Sequence, residues 1–391
     1  MKKILTLLVI IICFVTEAEI TTAQSIQVMK ADGTVQEVNA EGIFYNLGKS
    51  QLIIDVQVTK IERIKGPYAE FAGKYLGLTN VITQNATSYE LNSISVRSVN
   101  IPDPEQYYYV IPGDKGGKVA SGFLLELSES GILLGTGGQY ADYQNAGGYS
   151  PAMEEENVYP DVFKYFSDLN LFEQVDTIIE RINIDTATIE KMVLKRTLVE
   201  KTPEQKARDA ADFIMKVKEN RLNLISGYQE VNYDKETFTL MNQELEKLEN
   251  EYQKLFTGLT FTKTLEYRYH VVPMEDRPSD TIDLFRFSEL RGVLDTSNAN
   301  GKLVRMCINS TGHTSAVKEF ISRKPQDKVK YRGFFYRMPE YAMVSIYMGD
   351  RLRHSGQILI SQFGPVCYLP ARKAKLGMYP GTSSIRNIIF E

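Results

Sequence analysis

The side chains that could act as nucleophiles or metal ligands are few and far apart in this sequence. Histidine occurs at His270, His313 and His354, and cysteine at Cys13, Cys307 and Cys367. No H-E-x-x-H segment and no C-x-x-C pair is present, so the common local spacings for zinc are missing. His313 follows Cys307 by six residues, but neither cysteine stands in a context that would activate a thiolate. The carboxylates are more promising. They cluster as Glu154, Glu155 and Glu156 with Asp161, and as Asp276, Asp280 and Asp283. A pair of carboxyl groups at a suitable separation hydrolyses a glycosidic bond, and the clusters define one reading of the chain as a carboxylate-dependent envelope glycan hydrolase. The competing reading is a solvated polar face, which adjacent glutamates usually form. The second cluster lacks the D-x-[DN]-x-[DN]-G loop of a calcium site.

Two glycine-rich stretches invite comparison with phosphate loops. "PGDKGGK" lacks the G-x-x-x-x-G-K-[ST] spacing and is followed by a strand pattern from Val119, so it reads as a hairpin turn. "GTGGQY" puts Tyr140 where a dinucleotide fingerprint needs a third small residue. No cofactor, no metal and no catalytic residue is therefore assigned. Tyr140, Tyr143 and Tyr149, in the polar run "QYADYQNAGGYSP", are the candidate ligand-binding residues, because exposed aromatic rings stack on sugars. The remaining aromatics, among 23 Tyr and 18 Phe, mostly fit alternating strands, where they form cross-strand pairs.

The elements that must position such residues begin after the N-terminal segment. Lys2 and Lys3 precede the apolar run Ile4 to Val15, and Thr21-Thr22-Ala23 follows a short polar stretch. That is the pattern of a signal peptide over residues 1–23, with cleavage after Ala23. No other apolar run is as long, so no transmembrane span is expected in the mature chain. The formal charge is −4, and nothing favours a nucleic-acid partner, which calls for a basic face. Export makes a Cys307–Cys367 disulfide available, whereas "RMCIN" and "GPVCYLP" equally suit two small buried thiols.

Residues 42–64 alternate Leu52, Ile54, Val56 and Val58 with more polar neighbours, predicting a strand. "KGPYAEFAGKYLG" then breaks the pattern. Tyr68, Phe71, Ala72, Tyr75 and Leu76 form one apolar stripe, which predicts a short helix near 67–76 capped by Gly77 and laid across a sheet. An anion site at Gly66 is the alternative. Thr202, Pro203 and Gln205 make a capping box, and Asp234 caps a second helix. Its Phe238, Met241, Leu245, Leu248, Tyr252 and Leu255 step by three and four, a seam of coiled-coil type. The connection between them allows an antiparallel pair. Beyond Gly258 short strands and turns return, with Gly349-Asp350 as a hairpin turn. The expected fold is α+β, with a β-rich region over 24–201, an antiparallel helical hairpin over 202–258 and a second β-rich region over 259–391. Each β-rich region is expected to be a sandwich- or barrel-like domain, with the hairpin between them.

"ARDAADFIMKVKENRLNLISG", "ELEKLENEYQKLFTG", "LFRFSE", "FFYRMPEYA" and "SQFGPVCYLP", in that order, resemble an uncharacterised family of exported proteins from Gram-negative anaerobes, that of domain of unknown function 4831. "KGPYAEFAGKYLG" matches it too, while "IFYNLGKS" departs where the family pattern has a Pro after the Leu. The resemblance implies export and a whole-chain architecture and carries no catalytic residue. The leading expectation is an exported, non-enzymatic binding or assembly component of the cell envelope, periplasmic or outer-membrane associated, with an envelope protein or glycan as partner.

Overall fold

The computed structural model describes residues 26–31, 42–112, 124–136, 163–166, 171–184, 187–227, 233–323, 333–370 and 374–390. The described chain is α+β and rich in antiparallel strands, as expected. Its organising element is the alternating segment at 42–64. This becomes a 22-residue strand, β2 (Ile43–Ile64), flanked by β3 (Ala86–Pro112) and β8 (Leu259–Val271). β1 (Ile26–Lys30) pairs with the far side of β3. Successive side chains of a strand point to opposite faces, so Leu52, Ile54, Val56 and Val58 all face inward, each at most 1 % exposed. They meet a second sheet, ordered β10 (Gly292–Leu294), β9 (Ser279–Ser288), β11 (Lys302–Ser310), β13 (Glu340–Met348) and β14 (Arg351–Ile360). Phe285, Val304, Met306, Val344 and Ile346 fill the space between the two layers, forming a β-sandwich.

A second core lies at the other end of the same strand pair. There Tyr45, Leu47, Tyr108 and Val110 pack on Leu133, Phe334, Leu376 and Met378. These come from β5 (Leu133–Thr136), β12 (Gly333–Arg337) and β16 (Ala374–Met378). β12 pairs with β15 (Val366–Pro370), and the order β17 (Ile385–Phe390), β16, β5, β4 (Leu125–Leu127) makes a four-stranded sheet. The strands before and after the helices therefore share sheets: β8 runs beside β2, and β16 beside β5. The β2–β3 pair passes through both cores, so what the cores divide is the length of that pair rather than the two β-rich stretches of sequence.

"KGPYAEFAGKYLG" is a packing element, but it packs on the two long helices rather than across a sheet. A 3₁₀ turn at Ala69–Phe71 leads into α1 (Ala72–Leu76), which ends on Gly77 in the left-handed region at φ 67°. Tyr68 and Ala72 are buried against α2 (Pro203–Ser226) and α3 (Lys235–Thr257), with Phe71, Tyr75 and Leu76 beside them. Gly66 is required by close approach: a Cβ there would stand 2.4 Å from the Leu255 carbonyl oxygen, which accepts the Tyr68 N–H at 2.9 Å. Lys65 pairs with Glu70 at 2.6 Å, so the charge beside Gly66 is already met. The capping box at Thr202 and Gln205 forms, and Asp234 accepts the N–H groups of Glu236 and Thr237.

Leu171–Ile184 and Ala187–Glu200 form a two-stranded antiparallel ribbon, β6 and β7, to which sequence reading assigned no element. Met192 and Leu194 stand on it largely exposed. Cys307 and Cys367 are both free thiols: Cys307 lies on β11 opposite Ser345, and Cys367 on β15 opposite Tyr336, in different sheets. Of the two sequence readings for this pair, the structure carries the unbridged one, with both thiols partly rather than fully buried. The last helix, α4 (Ser315–Ser322), follows β11.

Candidate functional site

The β2–β3 ladder breaks where the two cores meet. Asn46 lies opposite Tyr107 and Gly48 opposite Pro102, so residues 103–106 of β3 have no partner in this ladder and form a bulge. The local sequence "IPDPEQ" explains the break, since neither Pro102 nor Pro104 can donate a backbone hydrogen bond. Asp103 Oδ1 accepts the Glu105 N–H at 3.2 Å, closing a local turn. Beside this bulge opens a cleft of about 760 Å³. Its walls are Lys49 of β2, Asp103, Glu105 and Gln106 of the bulge, the loop Val272–Asp276 after β8, and Gln362 in the 3₁₀ turn Ser361–Phe363.

Bonded to two of these residues, Asp103 and Glu275, is Arg337, the last residue of β12, whose side chain is wholly buried. Its Nη1 donates to Asp103 Oδ2 at 2.6 Å and to the Gly48 carbonyl at 3.1 Å. Its Nη2 donates to Glu275 Oε2 at 3.2 Å. Burying a guanidinium demands a compensating charge, and Asp103, itself 5 % exposed, supplies it. Glu275 is 60 % exposed and belongs to the rim. The Arg337 Nε–H has no acceptor among the described residues.

Gln362 fixes the opposite wall. Its Oε1 accepts the Ser50 N–H at 2.8 Å, and its Nε2 donates to the carbonyls of Ser50 and Pro273, each at 2.9 Å. One amide thus ties the 272–276 loop to β2. The side chains of Asp103 and Gln362 are committed to protein partners, while Glu105, Glu275 and Asp276 are exposed residues. Such an arrangement offers several hydrogen-bond acceptors, one ammonium and a short apolar wall to a polar ligand.

A second buried carboxylate, Glu340 at the start of β13, accepts four hydrogen bonds: from the Thr311 hydroxyl at 3.0 Å, the His313 N–H at 2.7 Å, and the Thr314 N–H and hydroxyl at 2.6 Å each. Burial pushes its pKa up, but the bonds from Thr314, Thr311 and His313 outweigh burial and hold it below the ordinary glutamate value. A carboxylate whose pKa is lowered in the fold adds stability above its unfolded value of about 4.3, and that stability disappears as pH falls through the folded value. Glu340→Gln is therefore expected to unfold at lower urea than the wild type at pH 7. The gap between their midpoints should close as pH drops below about 4. A gap that stays constant from pH 7 to pH 3 would rule out this role.

Of the described acidic residues singled out from sequence, only Asp276 lines the cleft. Asp280 and Asp283 extend along β9, where Asp280 Oδ1 accepts the Thr281 N–H and Asp283 lies 3.9 Å from Arg305. Tyr140, Tyr143, Tyr149, Glu154, Glu155, Glu156 and Asp161 lie outside the described residues. His270 is on β8 opposite Ile53, His354 on β14 opposite Ile346, and His313 packs edge-on against Tyr341. Among the described residues no group of three or more His, Cys, Asp or Glu side chains could hold a metal ion. Asp103, Glu105, Glu275 and Arg337 escaped sequence reading. The available signals were an Asp between two prolines and a lone arginine closing the apolar run "GFFYR".

A family model described as a domain of unknown function (DUF4831) matches residues 41–167 and 170–377. No curated protein and no solved structure matches the chain. Among the described residues no helix is long and apolar enough to cross a membrane.

Proposed function

The chain belongs to the DUF4831 family, and from that premise we propose that it is an exported, non-enzymatic binding component of the cell envelope whose cleft holds a polar, glycan-like ligand. Export rests on Lys2, Lys3 and the apolar run that follows them. The observation that carries the binding reading is the division of charge in the cleft. A general acid needs a carboxyl group left free to exchange its proton with substrate. Asp103, the buried carboxylate of the cleft, is committed to Arg337 and to the Glu105 N–H. The rim carboxylates Glu105, Glu275 and Asp276 are solvated acceptors suited to sugar hydroxyls.

The same three rim carboxylates favour one second reading, hydrolysis of an envelope glycan. Calorimetric titration with oligosaccharide fragments of the envelope, followed by product analysis, separates the two. Saturable binding without bond cleavage is expected, weakened about tenfold in the Glu105→Gln/Asp276→Asn variant through loss of charge-assisted hydrogen bonds. Cleavage abolished in that variant would replace binding by hydrolysis. In protein recovered from the envelope, the chain is expected to start at Gln24, and an intact Met1 would refute export by cleavage.

A further inference from the structure

A guanidinium holds its donors in one plane, and Nε–H and an Nη2–H lie side by side along an edge that matches the two oxygens of a carboxylate. In Arg337 the Nη1 group is fully engaged by Gly48 and Asp103. The Nε–Nη2 edge is only half engaged. Nη2 meets a single oxygen of Glu275, and the buried Nε–H has no acceptor among the described residues. Leaving a buried charged donor unpaired is costly, so this edge favours any group that supplies two oxygens. Its present occupant comes from the loop lining the cleft, on a side chain 60 % exposed.

We infer that the Nε–Nη2 edge of Arg337 is a receptor for a ligand carboxylate, with Glu275 as its displaceable occupant, and that the cleft takes a sugar acid of the uronic-acid class. This rests on the glycan reading and specifies it. The exchange is neutral in charge, because one carboxylate leaves for water as another arrives. It is favourable in hydrogen bonding, because Nε–H gains an acceptor that none of the described residues supplies. Glu105 and Asp276 would repel a bare anion at the rim, but they accept the hydroxyls of a sugar, and Lys49 offsets part of their charge. The site therefore selects an acid that also carries hydroxyl groups.

The full chain and its Glu275→Ala variant are titrated with glucuronate and with the neutral methyl glucoside at one ionic strength. Removing the competing occupant is expected to tighten glucuronate binding about tenfold, because the receptive state no longer has to be vacated first. Methyl glucoside, which has no carboxylate to place on the edge, is expected to gain no affinity from the substitution. Methyl glucoside binding Glu275→Ala as tightly as glucuronate would overturn the carboxylate receptor and leave the glycan reading standing. Binding of neither sugar to either protein would overturn both. In the wild type the Arg337 Nε–H resonance should shift on addition of glucuronate, and a resonance unmoved at saturating ligand would overturn the receptor even if the variant failed to fold.

Discussion

Asp103→Ala is expected to destabilise the fold by roughly 3–5 kcal/mol, because it strands a buried guanidinium without its carboxylate. Arg337 is 0 % exposed and cannot turn its charge to water without opening the second core, where β12 packs. Glu275 cannot take over, since it stands on the other nitrogen and is mostly solvated, and Glu275→Ala should cost no more than about 1 kcal/mol. Removing both partners should be milder than removing one. In Asp103→Ala/Arg337→Met no charge is left unpaired, and most of the loss should be recovered, apart from the Gly48 carbonyl that Arg337 also satisfies. Urea unfolding of the two single variants and the double variant gives the coupling directly. Additive losses would show that the pair does not act as a unit. The same cycle bears on function, since Asp103 lines the cleft and Arg337 also holds Glu275 of its rim.

Phe256→Ala carries the second large effect, about 3–5 kcal/mol, as a ring lost from a close-packed interior. Phe256 is wholly buried and lies 5.6 Å from the ring of Tyr68, itself buried in the same cluster. Burial also pushes the Tyr68 phenol up to about 12, helped by the nearby Asp209 and Tyr252, consistent with a tightly closed site. Leu248 provides the comparison. It lies on the predicted seam but is only half-buried, so Leu248→Ala should cost well under half as much. The end of the pair away from α1 is held instead by Arg221, which reaches Asn242, Glu246 and Glu249. Chemical denaturation of both variants checks the order, and a loss at Leu248 equal to that at Phe256 would sink it.

Phe256 also marks the limit of a periodic pattern. The three-and-four spacing found Tyr252 and Leu255, both buried against α2 and the 68–76 segment. It passed over Phe256, one residue off the stripe, which packs on Tyr68 while α2 covers the stripe itself. Periodicity reports one buried direction, and a helix enclosed on two sides has two.

Several features were fixed by the chain's own local chemistry. The capping box at Thr202, the cap at Asp234 and the left-handed end at Gly77 all depend on residues within one or two turns of each other. Local sterics and hydrogen bonding suffice to set them. The cleft depends on nothing local. Arg337 and Asp103 are 234 residues apart, Gln362 and Ser50 are 312 apart, and each pair meets only because β12 and the Ser361–Phe363 turn close on β2 and β3. The sharing of sheets between β2 and β8 is of the same kind. A charge in a strand pattern does not name its partner. That choice belongs to the tertiary fold, in which burying Arg337 is tolerable only where a bulge in β3 delivers a carboxylate.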